Sequence, residues 1–217
     1  MADIFQEVDE EVRRERLMKL WQRYQIPIVL VLVLTLAGVG GWRYYEYQQD
    51  KRAADLGTSF EQAVSLAEEG KHAEADAAFA KVAADGNKVY RELALMRQAA
   101  EIAQTDAKAA IAAYGKIADD SSVGPDLKDL AGVRAGELMI DAGSFQDVRS
   151  RLEPLATDGR PYRHTARELL ALAAWRSGDI AAAKRWFDLL VGDILTPQTI
   201  RDRVEMLIAL VAAEGKM

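Results

Sequence analysis

The chain has 217 residues, a formal net charge of −6, half of its residues apolar and no cysteine. An acidic chain with no basic stripe interleaved with aromatics argues against a nucleic-acid ligand. The lack of cysteine removes disulfides, thiolate metal sites, haem attachment and lipid-bearing thiols. Abundant alanine, scarce proline and glycines falling at regular stations predict helices throughout.

Residues 1–23 are short, charged and mixed in sign. Ile4, Phe5, Val8 and Val12 share one helical face, and Leu17, Leu20, Trp21 and Tyr24 form a second cluster, suited to a membrane surface or a cytoplasmic partner. The segment 24–42 follows, 19 residues without charge between Arg23 and Arg43. As a helix it covers roughly 28 Å, the thickness of a bilayer core. Ten of its residues are Ile, Val or Leu, which favour insertion by roughly 3–6 kcal/mol together. A buried core helix of a soluble protein keeps a polar stripe, whereas Thr35 stands alone here.

Arg13, Arg14, Arg16, Lys19 and Arg23 precede the span, against Arg43, Lys51 and Arg52 close behind it. That bias keeps the N-terminus in the cytoplasm and exports the remainder. A cleaved signal peptide competes, with Gly38 and Gly40 as small residues before a cleavage site, but the region ahead of the span is long and mixed in charge. Trp42, Arg43, Tyr44 and Tyr45 have the make-up of an interfacial anchor. Ala37 and Gly41, four apart, offer a close approach to another membrane helix.

A juxtamembrane helix over 43–55 leads into a repeat domain over 56–195. Four stretches superpose there: GKHAEADAAFAKV from Gly70, TDAKAAIAAYGKI from Thr105, GSFQDVRSRLEPL from Gly143 and GDIAAAKRWFDLL from Gly178, spaced 35, 38 and 35 residues apart. Five positions after each turn residue stands a small or medium apolar residue (Ala75, Ala110, Val148, Ala183). Four later comes a large one (Phe79, Tyr114, Leu152, Phe187), and three later an aliphatic (Val82, Ile117, Leu155, Leu190).

This period belongs to stacked helical hairpins, nearest to the tetratricopeptide pattern. The small residue lets the second helix of a hairpin approach the first, and the large one fills the joint to the next repeat. Glycine at the turn supplies positive φ where the first helix ends. The first helices keep Ala63, Ala99, Gly136 and Ala171 at the close-packed position, without the usual Trp and Tyr.

The resulting map is all-α. A first helix begins near Asp9 and continues through the membrane toward Glu69. Further helices lie over 73–84, 88–103, 107–118, 126–142, 145–157, 161–177 and 180–192, and a helix within 196–217 caps the array with Val204, Leu207, Ile208 and Val211. Pro125 and Pro161 suit first helical turns. The fold class is a single transmembrane helix followed by a tetratricopeptide-like α-solenoid of four hairpins and a capping helix.

No catalytic constellation is legible. His72 and His164 lie in different repeats, without a carboxylate or serine at a telling spacing, and Asp119 with Asp120 reads as solvated charge. No enzyme activity, cofactor or small-molecule substrate is expected. Tyr90, Arg91, Tyr162 and Arg163 are the expected partner surface, since solenoid faces bind peptides through such residues.

A charged tail, one span closing in GWRYYEY and an array of degenerate hairpins resemble the YfgM-type ancillary subunit of the bacterial SecYEG translocon. Gly41-Trp42-Arg43-Tyr44-Tyr45 is the most specific motif, and the start MADIFQEVDEEVRRERLMKLWQRY is similar to the alphaproteobacterial form. The resemblance implies a non-catalytic inner-membrane scaffold with its repeats in the periplasm. Its implied partners are the SecYEG translocon, a PpiD-type periplasmic chaperone and emerging secretory chains. The same anchor and repeats would also suit an assembly scaffold for cell division or cytochromes, or, if cleaved, a soluble peptide-binding solenoid.

Overall fold

The computed structural model describes residues 3–213, with side chains before residue 14 and at 15, 16, 19, 20 and 28 outside the description. The tail face of Ile4, Phe5, Val8 and Val12, the side chain of Leu20 and the last four residues of the 196–217 segment therefore lie outside the described residues. Every described element is helical. The chain divides into two units, Met1–Asp55 and Leu56–Met217.

Helix α1 (Asp3–Glu68) supplies the described part of the first unit and the first helix of the second. It begins at Asp3 rather than near Asp9, and it carries Pro27 internally. Proline there has no N–H to offer the carbonyl one turn earlier. Beyond α1 the chain alternates short helices: α2 (His72–Asp85), α3 (Lys88–Ala103), α4 (Ala107–Asp119), α5 (Pro125–Ala142), α6 (Phe145–Leu152), α7 (Arg163–Arg176), α8 (Ile180–Gly192) and α9 (Gln198–Ala213).

Two expected boundaries move, both beside a proline. The helix expected over 145–157 stops at Leu152 and tightens into a 3₁₀ turn over Glu153–Leu155, because Pro154 cannot continue the α-helical ladder. Pro125 opens α5 at its first turn as expected, whereas Pro161 sits in the turn that precedes α7. Turn chemistry also differs from expectation at one station. Gly70 and Gly178 take positive φ (75° and 82°), but Gly143 is extended at φ −119°. At Thr105 the turn closes through Thr105 and Asp106 N–H groups donating to the Ile102 carbonyl, so no left-handed residue is needed. Asp106 then caps α4 by accepting from the Ala109 N–H.

The core is a series of joints, each made by three consecutive helices. Ala63, Phe79 and Ala94 join the end of α1 with α2 and α3. Ala99, Tyr114 and Ala135 join α3, α4 and α5. Val133, Leu152 and Leu170 join α5, α6 and α7, and Ala171, Phe187 and Val204 join α7, α8 and α9. All twelve residues of the second-helix register, from Ala75 to Leu190, are buried, as are Ala63, Ala99, Gly136 and Ala171 opposite them. Each hairpin thus hides its apolar face only by contact with the next, which is the logic of a repeat array.

Helix α9 packs on the last hairpin. Val204 and Val211 are buried, and Leu207 and Ile208 pack against the last joint. Ile200 and Val204 stand 34 residues after Ala166 and Leu170, and Glu205 stands 34 after Ala171. Ala171 is buried, whereas Glu205 is exposed with Asp202 and Arg203, and further along α9 Met206 and Leu210 are exposed as well.

Candidate functional site

Two features stand apart from the packed joints. The first is the apolar stretch of α1. One described helix is long and apolar enough to cross a membrane, and none of its apolar window is buried. Val29 through Leu34 and Leu36 are each more than half exposed. A soluble core helix would hide these side chains, and here nothing covers them. Trp42, Tyr44 and Tyr45 at the end of the run are also exposed. The Tyr44 and Tyr45 hydroxyls accept from Gln48 and Gln49 at 3.1 and 2.9 Å, and Arg43 pairs with Glu46 at 3.1 Å. Each ring therefore has its polar tip tied along the helix and its face free. Ala37 and Gly41 are exposed, and no atom lies within 4 Å of the place a Gly41 side chain would fill.

The second feature is a ladder of polar contacts between residues one repeat apart. His72 meets Glu101 at 2.8 Å, Arg91 donates to Asp120 at 3.2 Å and to Ser122 at 3.1 Å, and Arg160 donates to both oxygens of Asp129. Arg203 clasps Glu168 with two bonds of 2.6 and 2.7 Å, and Arg176 pairs with Asp141. Sequence reasoning read Asp119 and Asp120 as solvated charge and found no carboxylate partner for either histidine. Partners spaced 29 to 35 residues apart are the signal that would have found them.

The four residues expected to form a partner surface lie mostly in joints. Tyr90 is half-buried, with its ring 6.0 Å from that of Phe60, and Tyr162 packs against the third joint. Arg163 is largely covered and donates to Asp193 at 3.4 Å. Arg91 is exposed, though committed to Asp120. The reason is steric and electrostatic: a large ring or a planar cation at a repeat boundary finds its partner one hairpin away.

Asp193, just past α8, is the densest node of the ladder. One carboxylate oxygen accepts from His164 Nε2 at 2.9 Å and from Arg163 and Arg167 at 3.4 Å. The other accepts from the Leu195 N–H at 2.9 Å. Arg167 is itself buried and also donates to the Ala156 carbonyl at 2.9 Å and to Asp158 at 2.6 Å. The Leu195 N–H first, then the His164 ring and the Arg163 charge, hold the Asp193 carboxyl at about 2, below its ordinary 3.8. Because the folded value is depressed, this contribution to stability is complete above about pH 4 and is lost as the pH falls toward 2. Asp193→Asn is therefore expected to flatten the acid limb of a stability-versus-pH curve between pH 4 and 2, measured by thermal melts. An unchanged slope would remove Asp193 from that account.

Chemically the arrangement is one of binding and rigidity. Among the described residues no three His, Cys, Asp or Glu side chains are grouped to hold a metal. A family model described as a tetratricopeptide repeat-like domain matches residues 18–188. No curated protein and no solved structure matches the chain.

Proposed function

The chain belongs to the tetratricopeptide repeat-like domain family, and from that premise we propose that it is a single-pass scaffold working at the periplasmic side of the Sec translocon. Tetratricopeptide-like repeats are protein-interaction modules and typically non-catalytic. The observation that carries the membrane part is the wholly uncovered apolar window of α1. The family match begins at residue 18, ahead of that window, so the apolar helix and the hairpins fall within one family match.

The finer reading rests on the GWRYYEY closure of the span and on the cationic bias ahead of it. In this reading Trp42, Arg43, Tyr44 and Tyr45 set the depth of the anchor in the inner membrane. Ala37 and Gly41 face a neighbouring membrane helix, and the repeats engage a PpiD-type chaperone and emerging secretory chains. Of the four residues first expected to present a surface, Arg91 is the exposed one.

Photoreactive residues at Ala37 and Arg91, followed by pull-down from native membranes, test this. The expected result is retention through an alkaline carbonate wash, with translocon subunits crosslinked at Ala37 and a periplasmic chaperone at Arg91. Release as a soluble form shortened by roughly 40 residues would overturn the anchor. Capture of a different envelope complex would overturn the translocon role.

A further inference from the structure

Charge is ordered along the start of α1 in a way that its sum conceals. Residues 3–11 hold five acids and no base, whereas residues 13–23 hold five bases and one acid, Glu15. The whole stretch is one continuous helix, so order along the chain is order along an axis. With 3.6 residues per turn, Arg16, Lys19 and Arg23 fall within a sector of about 60°, and Glu15 falls outside it. Ile26 and Leu30 continue the same stripe toward the apolar window. Arg23 is exposed, as are Ile26 at 74% and Leu30 at 58%.

Two observations say what faces this stripe. Pro27 has no N–H, which leaves the Arg23 carbonyl without its helical donor. Such a carbonyl is costly in hydrocarbon and easily hydrated among headgroups, so residue 23 belongs at the headgroup level. At 1.5 Å per residue, Lys19 and Arg16 then stand about 6 and 10 Å further out, about one Debye length from the charged surface. Asp9, Glu10 and Glu11 stand about 18 Å or more out, where they cancel little of the basic charge. The second observation is continuity: the stripe runs into the uncovered apolar window, so acyl chains that cover Leu30 end beside Arg23.

We propose that Arg16, Lys19 and Arg23 form a site for anionic phospholipid, with headgroup phosphates on the bases and acyl chains along Ile26 and Leu30. Guanidinium and ammonium groups make charge-assisted bonds to phosphate oxygens, and their aliphatic stems lie against acyl surface. A zwitterionic lipid carries the same phosphate with its own cation, so the bases favour a lipid of net negative charge. Trp21, 59% exposed, adds an amphipathic ring at the same level. This assignment rests on the membrane-anchor reading and gives it a lipid specificity. Orientation of the span depends on how many bases precede it, whereas a site depends on which of them share the stripe.

The chain has no cysteine and Gln22 is exposed beside Arg23, so Gln22→Cys in the full chain takes a single short-range fluorophore. Held in phosphatidylcholine nanodiscs, it is quenched by a trace of nitroxide-labelled phosphatidylglycerol or of nitroxide-labelled phosphatidylcholine. The expected result is about threefold stronger quenching by the anionic lipid, an excess that shrinks at high salt. Arg16→Gln with Lys19→Gln and Arg23→Gln should abolish the excess. Arg13→Gln with Arg14→Gln, off the stripe, and Arg43→Gln, beyond the span, should keep at least half of it. Equal quenching by the two lipids overturns the proposal, and gives the face to a cytoplasmic protein if a photoreactive residue at Gln22 captures one. Loss of the excess in millimolar inorganic phosphate at constant ionic strength, or equal loss in the off-stripe variant, also overturns it. Retention through the carbonate wash without a lipid preference overturns this site and leaves the anchor standing, whereas release overturns the anchor and the site together.

Discussion

Replacing Phe187 by alanine is expected to destabilise the last hairpin by about 3–5 kcal/mol, the usual cost of emptying a phenylalanine site in a core. The ring is 1% exposed and sits in the joint of Ala171, Ala174, Leu190 and Val204. Alanines dominate one side of that joint, so few side chains there are long enough to swing into the space. The loss is also expected to be local. In an array each hairpin is stabilised by its neighbours, and a defect acts on its own unit and adjoining interfaces. Amide exchange should accelerate across α7, α8 and α9 and stay unchanged in α2 and α3. The α8–α9 loop should loosen with them, because the Thr196 hydroxyl bonds to the Leu190 carbonyl beside the ring's site. A uniform acceleration along all hairpins, or a cost below about 1 kcal/mol, would contradict the joint-by-joint account.

The joints were legible because their information is local and periodic. Phe79, Tyr114, Leu152 and Phe187 recur at one register of the repeat, and helical geometry turns a fixed register into a fixed face. All four are buried. The apolar stretch of α1 was legible for a simpler reason, since an uncharged run such as 24–42 needs no partner to be recognised. The ladder of charges was not legible in the same way. Asp193 looks like any acid after a helix, and only the arrival of Arg163, His164 and Arg167 from a helix some 30 residues earlier gives it meaning. Tyr90 and Tyr162 are partly packed into joints for a related reason. An amphipathic ring fits a surface or a joint equally well, and which one it takes depends on the helix that arrives next. Gly143 likewise looked like a left-handed turn residue, yet its N–H donates to the Met139 carbonyl from an extended backbone.

Gly136→Ala is expected to destabilise the chain by about 1–3 kcal/mol, the cost of overpacking a filled core, against the sign that helix propensity assigns. In the interior of an exposed helix the same change gains about 1 kcal/mol. Here an added methyl would lie 2.4 Å from Leu152 Cδ2, 2.6 Å from Cγ and 2.8 Å from Cδ1. Leu152 cannot withdraw freely, because it is fully buried among Val133, Val148 and Leu170. The other hairpins solve the contact differently, with alanine at Ala63, Ala99 and Ala171 and an aromatic ring at Phe79, Tyr114 and Phe187. Only the third hairpin sets leucine against glycine, so the branched Cγ comes close to the α5 backbone. A double-mutant cycle separates this from a general effect on α5. Leu152→Ala alone should cost about 2–5 kcal/mol by leaving a cavity. The double variant should cost less than the sum of the two by about 1 kcal/mol or more, because the new methyl then enters the vacated space. Additive costs, or a rise in melting temperature for Gly136→Ala alone, would show that α5 and α6 yield easily. In that case the close approach would be a consequence of the glycine and not the reason for it.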